Sequence, residues 1–167
     1  MIMPIKLILV PLDFSEYSAA ALEVATDLAA RFGSAMCLVH VVPMLPKLPA
    51  TVSIFKEGQY EQELHRDAER HLNELVAKLA SKNIHAEAVV GTANVVPMEI
   101  IRIAESRQAD LIVIATHGAT GWNRFAFGSV AEKVVHLAPC PVLMLPAHHE
   151  AKTGTSSGES ESAAAAH

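Results

Sequence analysis

Cysteine is scarce in this chain: Cys37 and Cys140 are the whole complement. Two cannot build a disulfide framework, and a reduced, cytoplasmic protein is the simpler expectation. Long apolar runs are missing as well. The N-terminal apolar stretch is interrupted at Lys6 and ended by Pro11, so neither a secretory signal nor a ~20-residue membrane span is expected. There is no run of basic residues and no basic face interleaved with aromatics, and the formal net charge is −5. Nucleic acid is therefore not an expected partner. The G-x-x-x-x-G-K-[S/T] pattern of P-loop ATPases is also absent. What remains is a chain of 167 residues, 51% hydrophobic and 19% charged, suited to one domain with a proper core.

Apolar stretches alternate with amphipathic ones along that domain. Residues 5–12 (IKLILVPL) are short, branched and apolar on both faces, as in a buried parallel strand. The turn Asp13-Phe14-Ser15 follows, with Ser15 placed to cap a helix running to about Arg31. Ala19, Leu22, Ala25, Thr26 and Ala29 are expected on its inner face, with Gly33 closing it. Residues 35–42 read as a second strand. Pro43, Pro46 and Pro49 then predict a mobile loop over 43–59. A helix is expected over 60–81, where Leu64, Ala68, Leu72, Leu75 and Leu79 recur at helical spacing. Residues 84–90 alternate, as an edge strand does, and 91–96 read as a loop. A helix starting near Pro97 should bury Ile100, Ile101 and Ala104. Residues 110–116 form a fourth strand. After a glycine-containing loop, 129–137 form a helix whose Ser129-Val130-Ala131-Glu132 matches a capping box. Pro141–Leu145 is a last short strand. Residues 148–167 carry no large apolar side chain and are expected to be a disordered tail.

Strand and helix in strict alternation specify an α/β fold: a Rossmann-like, open, five-stranded parallel sheet with helices on both faces. Ligands of such sheets bind beyond the carboxyl ends of the strands, where strand order reverses. The strand ends are therefore the places for chemistry. Gly118 lets the backbone turn closely around a ligand, and Gly128 and Ser129 offer helix-terminal N–H groups suited to phosphate. A flexible loop with an ordinary cap accounts for the same residues equally well. Asp13 can accept hydrogen bonds from a ribose or hold a magnesium ion, or can simply bond its own turn. Val41 can wall a base pocket or serve as plain core. Arg124 can reach phosphate oxygens or stay solvated.

These segments resemble the universal stress protein family, over essentially all of residues 4–147 of a domain assigned to 1–147. The resemblance rests on ILVPLDFSEYSAAAL, LVHVVP and DLIVIATHGATGWNRFAFGSVAEKVVHLAPCPVLML. The last is the most specific. The family's nucleotide-binding branch has a glycine, two residues, a glycine, nine residues, then glycine and serine or threonine. Those positions here are Ala115, Gly118, Gly128 and Ser129, so the first glycine is replaced. The resemblance implies that Pro11 and Leu12 border a base and that Val41 contacts adenine. It implies that Asp13 meets the ribose or a nucleotide-bound magnesium ion. Ala115, Thr116 and His117 belong to the same strand end, and Gly118, Gly128, Ser129 and Val130 would meet phosphates.

The function so implied is regulatory adenine-nucleotide binding, of ATP or else ADP or AMP, with slow hydrolysis at most, since no catalytic base or lysine clamp is evident. It also implies a homodimer paired through Pro141–Leu145 and an unidentified protein partner. The alternative is a nucleotide-free, homodimeric interaction scaffold of the same family, for which Ala115 is the support. A nucleotidyltransferase would need a histidine pair near the first helix and a basic loop near the last. His40, His117 and Lys133 do not form that pattern.

Overall fold

The structure is a computed structural model and describes residues 4–44, 54–116 and 128–146, with side chains in the helix beginning at Ile54 described from residue 59 onward. In chain order the elements are β1 (Leu7–Pro11), α1 (Glu16–Phe32), β2 (Ala35–Pro43), α2 (Ile54–Ser81), β3 (Ala86–Ala93), α3 (Val96–Arg107), β4 (Leu111–Ala115), α4 (Ser129–Leu137) and β5 (Val142–Leu145). All strand pairs are parallel, in the order β3-β2-β1-β4-β5. This is the expected five-stranded sheet, with β3 at one edge.

Alternation along the strands builds two cores. Ile8, Val10, Leu12, Met36, Leu38 and Val113 point to one face, where Ala21, Ala25 and Ala29 of α1 and Leu72 and Leu79 of α2 cover them. Leu9, Cys37, Val39, Ile112 and Ile114 point to the other, against Ile100, Ile103 and Ala104 of α3 and Ala131 and Val134 of α4. A strand covered on both faces must be apolar throughout, which is why β1, β2 and β4 read as unbroken runs. Each fully buried Ile or Leu contributes about 1.5–3 kcal/mol.

The helix ends follow their residues in most cases. Ser15 caps α1 by accepting from the Ser18 N–H at 3.2 Å, and Gly33 closes it in the left-handed region at φ 67°. The inner face of α1 is turned slightly from the expected one. Ser18 and Ala21 are buried and Ala19 is exposed, because a run of small residues fits either rotation. Helix α2 begins at Ile54 rather than at residue 60, so residues 54–59 are helical where a loop was expected. Gly58 lies inside it, and glycine's helix cost of about 1 kcal/mol hides such a start from the sequence. The rest of the expected 43–59 loop lies outside the described residues, except that Pro43 ends β2. Strand β3 runs on to Ala93, into the expected loop at 91–96. Gly91 serves there as a point of close approach: a Cβ on it would stand 2.8 Å from Cγ of Glu99. Glu99 is itself gripped at both oxygens by Arg102, which holds its carboxyl below the usual range.

Cys37 is fully buried. Burial first, and then the charge of the neighbouring Glu87, push its thiol up to about 12, which marks it as packing and not a nucleophile. The expected tail at 148–167 lies outside the described residues. Among the described residues no helix is long and apolar enough to cross a membrane.

Candidate functional site

Strand order reverses between β1 and β4, whose connections leave toward opposite faces of the sheet. A cleft of about 240 Å³ opens there, beyond the carboxyl ends of β1, β2 and β4. Pro11, Leu12, Asp13, Val41, Ala115, Thr116, Gly128, Ser129 and Val130 all line it. These are all the sequence-derived candidates among the described residues. His117, Gly118 and Arg124 lie outside them.

The floor is apolar. Val39, Val41, Ile100 and Ile114 come from the α3-side core, with Val96 beside them. One wall is the first turn of α4. Gly128 is its N-cap at φ −59°, ψ 139°, with no side-chain cap hydrogen bond. The expected capping box is therefore not formed. Ser129 is the first helical residue and is exposed, so its hydroxyl is misplaced for capping. The N–H groups of Ser129, Val130 and Ala131 have no intrahelical acceptor by helix geometry, and no cap side chain supplies one. They sit at the positive end of the helix dipole. Glu132, in the same turn, is exposed and brings a charge that opposes an anion there. The negative φ of Gly128 suits any residue, so the value of glycine there is its missing side chain at the cleft wall. The Gly128 N–H donates to the Thr116 carbonyl at 2.7 Å, and the Thr116 N–H donates to that of Leu145 at 2.8 Å. These two bonds fix where the 117–127 connection leaves and returns.

Across the cleft stands Asp13. Its Oδ1 accepts from the N–H and hydroxyl of Ser15, at 3.1 and 2.5 Å, so the turn-forming role is realised. The next residue, Phe14, has φ 61°, an unusual backbone for a bulky residue that costs about 1–3 kcal/mol. Its ring stacks on His40 at 4.5 Å and meets His71 of α2 edge-on at 5.1 Å. His40 also lines the cleft, and its Nδ1 lies 2.7 Å from the Leu12 carbonyl. A carbonyl only accepts, so Nδ1 carries the proton.

Ala115 adopts no positive φ. Strand alternation sets its methyl beside Val113 in the α1-side core with Leu12, Ala21 and Leu145, while its backbone borders the cleft. The residue that departs from the glycine pattern thus directs its extra carbon into packing.

Sequence reasoning missed Ser18, Val39, Val96, Ile100, Ile114 and Ala131 as lining residues, and placed His40 at the strand end without giving it a role. Strand period would have found Val39 from Val41, two residues on and on the same face. The position of His40 toward the end of β2 was legible, but nothing in the sequence marks its bond to Leu12, just past the end of β1. Among the described residues no lysine or arginine lines the cleft, and no group of three metal-binding side chains exists. An apolar floor, a carboxylate on one side and helix-terminal N–H groups without an N-cap side chain on the other suit a flat apolar ring joined through a polar linker to an anionic end.

Comparison with known proteins agrees with this architecture. A universal stress protein of Methanocaldococcus jannaschii is 36% identical over 146 residues, spanning 84% of this chain and 81% of that protein. A universal stress protein of Lactobacillus plantarum superposes with a TM-score of 0.76 at 22% identity, over 86% of this chain and 99% of that one. One from Archaeoglobus fulgidus, solved in complex with dAMP, gives 0.56 at 22% identity, over 85% and 98%. The family model described as Universal stress protein family matches residues 4–146, the whole of the sheet and its helices, and the chain belongs to that family.

Proposed function

We propose that the cleft binds an adenine nucleotide, ATP before ADP or AMP, and that occupancy regulates what the protein does in a stress response. The carrying observation is the uncapped first turn of α4 facing Asp13 across an apolar floor at the β1/β4 reversal. Adenine lies on Val41 and its neighbours, with Pro11 and Leu12 at its edge. The ribose meets Asp13 and the backbone at Ala115 and Thr116. The phosphates accept from the N–H groups after Gly128, and His117, Gly118 and Arg124 complete the set by the family's motif. The dAMP bound by the Archaeoglobus fulgidus relative supports an adenine nucleotide as the ligand class. Magnesium fits as a nucleotide-borne ion: Asp13 supplies a single carboxylate, and such an ion keeps waters and phosphate oxygens as its other ligands. Hydrolysis is at most slow, since the sequence shows no catalytic base or lysine clamp.

The protein acts as a homodimer through β5. This strand pairs only with β4 in the sheet order, and Leu143 on it is 38% exposed. An apolar edge strand is normally covered.

Titration of fluorescent ATP with Mg²⁺ tests the reading. The parent should bind at micromolar levels, about −8 kcal/mol. Gly128→Val leaves the backbone unstrained and fills the approach to the α4 N–H groups. It should weaken binding by at least ~30-fold, the equivalent of about 2 kcal/mol, while keeping its far-UV spectrum. No binding of ATP, ADP or AMP by the parent at millimolar ligand, with or without Mg²⁺, refutes the reading in favour of a nucleotide-free scaffold.

A further inference from the structure

Asp13 has a neighbour on each side, and His40 holds both. Leu12, before it, donates its own N–H to the Val39 carbonyl at 2.7 Å and accepts at its carbonyl from His40 Nδ1, also at 2.7 Å. Phe14, after it, lies with its ring stacked on the His40 imidazole at 4.5 Å and 24°. A hydrogen bond on the preceding carbonyl restrains the peptide plane entering Asp13. A stacked ring on the following residue keeps Phe14 at its left-handed φ of 61°, a conformation that a bulky residue leaves unless tertiary contacts hold it. The backbone of Asp13 is therefore bracketed, and its Oδ1 is then fixed by Ser15.

We propose that His40 is a positioning residue for the cleft: by clamping Leu12 and Phe14 it sets the orientation of the Asp13 carboxylate toward a bound ribose or nucleotide-borne cation. The part that concerns ligand rests on the adenine-nucleotide reading; the clamp itself does not. His40 donates from Nδ1 to the Leu12 carbonyl and stacks broadside on Phe14. The edge of His71 against Phe14 seats the same ring from α2.

The experiment has a ligand-free and a ligand-bound arm. In the unliganded protein, the Asp13 carboxyl ¹³C resonance and the Ser15 amide resonance are followed in His40→Ala, His40→Asn and Phe14→Ala. His40→Ala and Phe14→Ala should displace both signals. His40→Asn, whose amide stands near the Nδ1 position, should restore them part of the way. In the ATP–Mg²⁺ titration, His40→Ala should weaken binding about tenfold, from the lost bond and stack together. The double variant with Asp13→Ala should bind no more weakly than Asp13→Ala alone, because a residue acting only through Asp13 adds nothing once the carboxylate is gone. Additive losses, or unmoved Asp13 and Ser15 signals, overturn the proposal. If His40→Ala fails to fold, the exposed ring of Phe14 leaves Phe14→Ala to decide both arms. A parent that binds no ATP refutes the nucleotide reading, and the ligand-free resonances then judge the clamp on their own.

Discussion

Ala115→Gly puts glycine where the resemblance places the first motif glycine, and the structure gives a definite expectation for it. A reading from the motif alone makes the methyl an obstruction, so that its removal tightens nucleotide binding. The geometry says otherwise. Ala115 is 9% exposed, has no positive φ, and packs its methyl with Leu12, Ala21, Val113 and Leu145. Glycine there removes one buried methyl, about 0.8 kcal/mol, and adds backbone freedom in the unfolded chain, about 0.5–1 kcal/mol. The sum, about 1.5 kcal/mol, corresponds to a melting temperature lower by about 3–6 °C for a chain of this size. The ATP dissociation constant should stay within about twofold of the parent's, since the methyl points away from the apolar floor. Far-UV melting curves and ATP titrations on parent and variant decide it. A tightening of more than about fivefold, or an unchanged melting temperature, would show that the methyl lies in the cleft and that the packing argument is wrong.

Two further outcomes follow from groups outside the cleft. Because the Cys37 thiol is pushed up in the fold, the unfolded chain loses that proton at lower pH than the native one. Its contribution to stability is complete below its ordinary value of 9.0 and falls away as pH rises toward about 12. Urea midpoints should therefore drop more steeply over that window in the parent than in Cys37→Ala, and parallel profiles would exclude the effect. Leu143→Glu places a charge on the outward side of β5, so light scattering should move from two chains toward one with the fold retained; Met144, which packs inward on the α3-side core, is the wrong residue for that test. An unchanged mass for a folded Leu143→Glu would put the interface elsewhere.

The parts legible in the sequence were those fixed by local chemistry or strict period. Ser15 and Gly33 ended α1 as written, since one needs only a hydroxyl and the other only φ 67°. The buried runs of β1, β2 and β4 announced a covered parallel sheet, and its reversal point then led to Asp13, Val41, Thr116 and Gly128 together. What escaped depends on residues distant in sequence. Gly91 reads as a strand stop, but it is a strand interior where Glu99 crosses closely. Ser129 matches a capping pattern, yet the bond from Gly128 to Thr116 moves the cap one residue earlier and strips the turn of its side-chain partner. Ala19 and Ala21 are chemically alike, so only packing selects between them. The pairing of His40 with Leu12 crosses from β2 to the residue just after β1, and no spacing encodes it.

The sheet also has an uneven ladder. β1 lies in register with β2 from Leu7 opposite Ala35 to Pro11 opposite Val39, but with β4 only at Ile8 opposite Leu111 and Leu9 opposite Ile112. Among the described residues this is the shortest seam, and it runs beneath the cleft. It joins a block begun by the first half of the chain to one supplied by the second. A molecule lying across it, with one end on Asp13 and the other on the start of α4, ties the two blocks as a clasp ties two boards. A fragment ending before β4 carries Asp13 but not the start of α4, so the two ends of that span come together only when the last third of the chain has docked.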